Sequence, residues 1–116
     1  MDDQIPIPDE WAKQVCKILR QGDKNKITWT VRALQEWQAA TLSTFRYEPQ
    51  DAMADALSVS GVIGSKVNLA EDGVTYAFFF PYQKRIFYGK ICLRSNQVNI
   101  KIISAHVPRH GTQQLY

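Results

Sequence analysis

Phe87-Tyr88-Gly89-Lys90-Ile91-Cys92-Leu93-Arg94, then Ser95-Asn96, then Gln97-Val98-Asn99-Ile100-Lys101-Ile102-Ile103-Ser104-Ala105-His106: this stretch decides the fold. Both arms alternate apolar and polar side chains. A period of two sends successive side chains to opposite faces of a strand. Ser95-Asn96 has the composition of a tight turn, so the stretch predicts a β-hairpin. Phe87, Ile91, Leu93, Val98, Ile100 and Ile102 form its apolar face. Tyr88, Lys90, Arg94, Asn99 and Lys101 form a cationic face that carries a phenol.

Working back from the hairpin, 65–70 alternates, with Val67 and Leu69 expected inward and Lys66 and Asn68 outward. Glu71-Asp72-Gly73 is a hairpin-turn signal. The stretch 74–80 is almost continuously apolar and predicts the most buried strand, ended by Pro81. Its Phe78-Phe79-Phe80 run reads as core. Lys84 and Arg85 lie in a basic loop. These features predict a four-stranded antiparallel sheet over 64–107.

The first half reads as helical over 8–60. Pro8-Asp9-Glu10 opens a first helix, and Trp11, Val15, Ile18 and Leu19 recur at helical spacing before Gly22. Thr28 or Thr30 can cap a second helix over about 30–43, with Val31, Leu34, Trp37 and Leu42 inward. Glu48-Pro49 opens a short third helix with Met53, Ala56 and Leu57 inward. Residues 1–7 read as a loose arm and 111–116 as a tail. Helices followed by an antiparallel meander predict an α+β fold, with the helices on one sheet face.

At 116 residues, 45% hydrophobic and 22% charged, the chain can bury one core without a disulfide or metal, so one domain over 1–116 is expected. Cys16 and Cys92 are far apart and suggest neither a disulfide framework nor a zinc site. Nothing reads as a signal peptide or membrane span, so a cytoplasmic protein with no membrane partner is expected. Charge is divided unevenly. Residues 1–60 hold seven Lys/Arg against nine Asp/Glu; residues 61–116 hold seven against two, Glu71 and Asp72. A nearly pure cationic half suits a polyanion such as nucleic acid, or an acidic protein.

The order of elements, with Thr28-Trp29-Thr30-Val31-Arg32-Ala33-Leu34, Asp51-Ala52-Met53, Lys66, Tyr88-Gly89-Lys90-Ile91 and the terminal Ile103-Ser104-Ala105-His106, resembles the RelE-like ribonuclease toxins. Within them it is most similar to the MqsR family of type II toxin–antitoxin systems, over roughly residues 12–107. That resemblance implies a RelE/barnase-like fold and an endoribonuclease that cleaves mRNA, free or ribosome-bound. It also implies a cognate antitoxin as partner. Lys66 matches a lysine important for activity in that family, Tyr88 its tyrosine, and His106 a basic position. The family's catalytic glutamine has no clear counterpart; Tyr82 or Gln83 lies nearest. The last hairpin is longer than in the family, and the chain extends past the usual end.

The chemistry expected of such a site is metal-free. A base takes the 2′-hydroxyl proton, cations stabilise the phosphorane, and an acid protonates the leaving 5′-oxygen. Lys66, Tyr88 and His106 are the catalytic candidates. Lys84, Arg85, Lys90, Lys101 and Arg109 are the phosphate-binding candidates. No metal or other cofactor is expected, because a two-metal nuclease needs clustered carboxylates. Strict alternation puts His106 on the apolar side; it reaches the cationic face only if a bulge near Ile103-Ser104 shifts the phase. His110 reads as solvated or structural. The alternative is a non-enzymatic module whose basic sheet face docks on nucleic acid or an acidic protein. A toxin domain delivered by contact, with the same fold, is a third possibility.

Overall fold

The computed structural model describes residues 4–41, 47–70 and 72–108. Among the described residues it is α+β: three helices and a six-stranded mixed sheet. The elements run β1 (Ile5–Pro6), α1 (Asp9–Gln21), β2 (Ile27–Trp29), α2 (Val31–Thr41), α3 (Tyr47–Leu57), β3 (Ile63–Val67), β4 (Val74–Tyr82), β5 (Arg85–Leu93) and β6 (Ile100–His106). Among the described residues, no helix is long and apolar enough to cross a membrane.

The expected antiparallel meander is the centre of the sheet, β3-β4-β5-β6. Two short edge strands extend it beyond the four predicted. Ile5–Pro6, expected as part of a loose arm, pairs antiparallel with β3. Ile27–Trp29, expected as connector and cap, pairs parallel with β6. Both are too short to carry a period of their own. Partners distant in the chain hold them: Ile7 N–H donates to the Val62 carbonyl at 2.9 Å, and Ile100 N–H to the Lys26 carbonyl at 2.9 Å.

The helices form where capping and periodicity agree. Helix α1 has Asp9 and Glu10 in its first turn and ends at Gly22, which is left-handed at φ 64° and donates its N–H to the Ile18 carbonyl. Trp11, Ala12, Val15, Ile18 and Leu19 are its buried stripe. Thr30, not Thr28, caps α2: its Oγ1 accepts the Ala33 N–H at 3.0 Å. The buried residues of α2 are Ala33 and Trp37. Val31, expected inward, is 73% exposed, and Leu42 lies outside the described residues. In α3, Met53, Ala54 and Leu57 are buried.

The helices cover one sheet face. Trp37 is its centre, with ring centroids 4.9 Å from Tyr82, 5.1 Å from Phe87 and 6.4 Å from Phe80. Trp11 packs edge-on against Tyr76 and donates its Nε1–H to the Val74 carbonyl at 2.9 Å. Phe87, Ile91, Leu93, Ile100 and Ile102 line this core as expected. Val67, Leu69 and Val98 do not. Leu69 and Val98 lie outside the strands and are exposed, and Val67 is on the other face. The space over β3 is filled instead by Ile7. A Cβ at Gly64 would lie 2.8 Å from the Ile7 side chain, so glycine permits that approach.

Two turns differ from expectation. Pro81 does not end β4 but pairs with Ile86 inside it. The closing pair of the hairpin is Tyr82 and Arg85, so Pro81 falls at a non-hydrogen-bonded pair, where a missing N–H costs nothing. Gln83 and Lys84, at φ 51° and 64°, form the two-residue left-handed turn that suits strand twist. The last hairpin has a longer loop than Ser95-Asn96. Gln97 N–H donates to the Arg94 carbonyl and Arg94 N–H to the Asn99 carbonyl, so β6 begins only at Ile100.

Candidate functional site

The sheet face away from the helices is built from register. In antiparallel partners, side chains directly opposite point to the same side. Three cross-strand rows follow: Phe79, Tyr88 and His106; Ala77, Lys90 and Ser104; Thr75, Cys92 and Lys101. Ser65 and Val67 extend the second and third rows onto β3. The β3 register, carried two residues further, puts Ile63 beside Phe79. Among the described residues no helix packs on this face.

His106 reaches the face because β6 carries a bulge. Lys90 pairs with Ser104 and Ile91 with Ile102, which leaves Ile103 as the extra residue. Ile102 stays in the core, and every position beyond Ile103 changes side. The structure therefore contains the phase shift that His106 required. Its ring lies 5.2 Å from that of Tyr88, tilted by 37°. His106 Nδ1 is 2.8 Å from the Val107 carbonyl oxygen. A carbonyl only accepts, so Nδ1 carries the hydrogen and the neutral ring keeps its lone pair on Nε2. This backbone contact fixes both tautomer and ring orientation.

Lys90 Nζ stands 5.8 Å from the Tyr88 ring centre. Phe79 meets Tyr88 edge to face at 5.9 Å. The four groups are half-buried. The strands β3 to β6 contain no Asp or Glu, so no carboxylate from them opposes the cations of this face. Lys101 lies on the same face two rows from His106, opposite Cys92 and Thr28. Cys92 is fully buried, with its thiol 3.4 Å from the Asp72 carbonyl oxygen, and neither cysteine is in a disulfide.

The other candidates are placed elsewhere. Lys66 pairs with Tyr76, a core residue, so it projects from the helix-bearing side at an exposed position near the sheet edge. The expectation that it joins Tyr88 on the cationic face is thereby corrected. Arg85 also faces the helices. Its guanidinium donates to the Ala40 carbonyl at 3.1 Å, in the last turn of α2, and stands 5.4 Å from the Phe87 ring centre. A cation there satisfies a helix C-terminus. Lys84 is exposed at the tip of the β4–β5 turn. Arg109 and His110 lie outside the described residues.

Neither substitute for the family glutamine joins the open face. Tyr82 donates its hydroxyl to Glu48 Oε1 at 2.6 Å, on the helix side. Burial, that hydrogen bond and the carboxylate's charge push the phenol up to about 12. Gln83 sits in the turn, with Nε2 at 3.5 Å from the Tyr82 hydroxyl. Glu48, Asp51 and Asp55 line a shallow groove beside this pair. The residue the sequence reading missed is Phe79. It sits in an apolar run, but its two neighbours face the core and it does not; alternation within the run was the available signal.

Among the described residues the geometry defines a cationic sheet face that no helix covers, with a row of three rings. Compared with protein-family models, characterised proteins and solved structures, the chain matches none.

Proposed function

We propose that the protein is a metal-independent endoribonuclease, acting as the toxin of a type II toxin–antitoxin pair in the cytoplasm. The observation that carries this reading is the bulge at Ile103, which brings His106 beside Tyr88 on the face that holds Lys90. His106 Nε2 takes the proton of the 2′-hydroxyl as the 2′-oxygen attacks phosphorus. Lys90 offsets charge on the non-bridging oxygens. The P–O5′ bond breaks, and the Tyr88 hydroxyl gives its proton to the leaving 5′-oxygen. The products are a 2′,3′-cyclic phosphate and a 5′-hydroxyl. Solvent then returns a proton to Tyr88 and removes one from His106.

The toxin assignment, a RelE/barnase-like fold, mRNA as substrate and a cognate antitoxin rest on the sequence resemblance. The test is induction of wild type, His106→Ala, Tyr88→Ala and Lys66→Ala in a bacterial host, each checked for folding by circular dichroism. Growth arrest with mRNA loss, relieved in the first two variants, supports the reading. Harmless wild type with intact RNA overturns it.

One observation favours a second reading. Lys66, the lysine carried over from the family, is not gathered with Tyr88 and His106. A non-enzymatic module that binds nucleic acid or an acidic protein on the same face needs no such lysine. RNA that is bound in a salt-dependent way and recovered intact would establish it.

A further inference from the structure

Phe78, Phe79 and Phe80 are consecutive, and burial separates them. Phe78 and Phe80 are 1% and 0% exposed in the helix-side core. Phe79 is half-buried on the opposite face, first in the row Phe79, Tyr88, His106. A phenylalanine there contributes nothing to the helix-side core. It makes the apolar end of the row, with Ile63 beside it at 53% exposure and Pro81 and Ile86, both exposed, in the next row. The other end of the row is His106, and Lys90 stands beside Tyr88 in the middle.

We infer that Phe79 is a base-stacking residue, and that the open face takes single-stranded RNA with an unpaired base on Phe79 and the adjoining phosphate at Lys90 and His106. The inference rests on the reading of this face as the RNA site and adds the substrate class and a specificity-determining side chain. Three features carry it. A row of three rings crosses β4, β5 and β6 with Lys90 in the row beside it, an arrangement by which a sheet can hold splayed bases next to a neutralised backbone. The strands supply no carboxylate to repel phosphate. The ring row is two strand spacings long, about 10 Å, which is room for one nucleotide beside a reacting phosphate. Duplex RNA keeps its bases stacked inside and cannot offer one to Phe79.

The test uses the full chain and a short mixed-sequence oligoribonucleotide methylated at every 2′-oxygen, so that it binds without being cut. Phe79→Leu keeps an apolar side chain and loses the π-face; Phe79→Trp keeps the face. Wild type is expected to bind the single strand more tightly than the same sequence as duplex. Phe79→Leu is expected to bind the single strand about tenfold more weakly, and Phe79→Trp as wild type. With unmodified RNA, Phe79→Leu is expected to raise KM and leave kcat near wild type. Equal affinity for single strand and duplex, or wild-type affinity in Phe79→Leu, overturns stacking while leaving the cleavage site standing. No binding of either RNA by the wild type overturns stacking and the proposed function together.

Discussion

The two faces of one sheet were built from the same strands and do different work. On the helix side, Phe78, Phe80, Phe87, Ile91, Ile100 and Ile102 interlock with Trp37 and lose nearly all contact with water. On the open side, the alternate positions of those strands hold Phe79, Tyr88, Lys90, Lys101 and His106, all half-buried. The small Thr75, Ala77 and Cys92 on the same side are buried. Packing density governs the first face; the second is the face we propose for RNA. A substitution on the helix side should therefore register as stability, and one on the open side as binding or turnover.

The largest effect that could break this comparison is at Trp37. Trp37→Ala should lose about 3–5 kcal/mol of stability, read from denaturant midpoints, because it empties the centre of the core. A loss below about 1 kcal/mol would show that the helix layer is not what holds the sheet.

His106→Ala is the counterpart on the open face. RNA cleavage should fall by about a hundredfold or more, the usual contribution of a positioned acid or base. Its unfolding midpoint should stay within about 0.5 kcal/mol of wild type. Equal losses of fold and activity would make His106 a packing residue.

Gly89 tests the boundary between the faces. It lies on β5 between Tyr88 and Lys90, yet its missing side chain is on the core side. A Cβ there would lie 3.1 Å from the Phe80 ring and 3.2 Å from the Phe78 ring. Those rings are fully buried and have nowhere to retreat. Gly89→Ala should cost about 1 kcal/mol by thermal melting, overpacking outweighing the gain in chain stiffness.

The smallest effects separate the lysines. Lys90→Ala should lower the slope of log affinity against log salt by about 0.7, one phosphate contact on a single strand. Lys66→Ala should change neither that slope nor the cleavage rate, because Lys66 projects from the other side of the sheet. A strong loss in Lys66→Ala and none in Lys90→Ala would reverse the assignment of the site.

Much of this architecture was legible from local patterns. The stripe of Trp11, Val15, Ile18 and Leu19, the stop at Gly22 and the alternation from Phe87 to Leu93 each arise within a few residues, and the structure agrees with them. Tyr88 and Lys90 were placed on the open face for the same reason. Lys66 lies on the side opposite to the one local alternation predicts, because the phase of a short strand is set by its partner. Ser65 pairs with Ala77 and Val67 with Thr75, and a one-residue change of phase reverses every side chain.

Sequence alone therefore determined the α+β class, the central meander, the acidic and basic halves, and the tyrosine and lysine of the candidate site. These follow from periodicity, capping and charge, which act along the chain. Only the tertiary structure decided the two edge strands, the side of the sheet on which Lys66 lies, and the meeting of His106 with Tyr88. Each depends on pairing between residues far apart in sequence. The bulge at Ile103 shows why: one extra residue in β6, permitted by Ile102-Ile103 but fixed by pairing with β5, turns His106 from the core side to the open face.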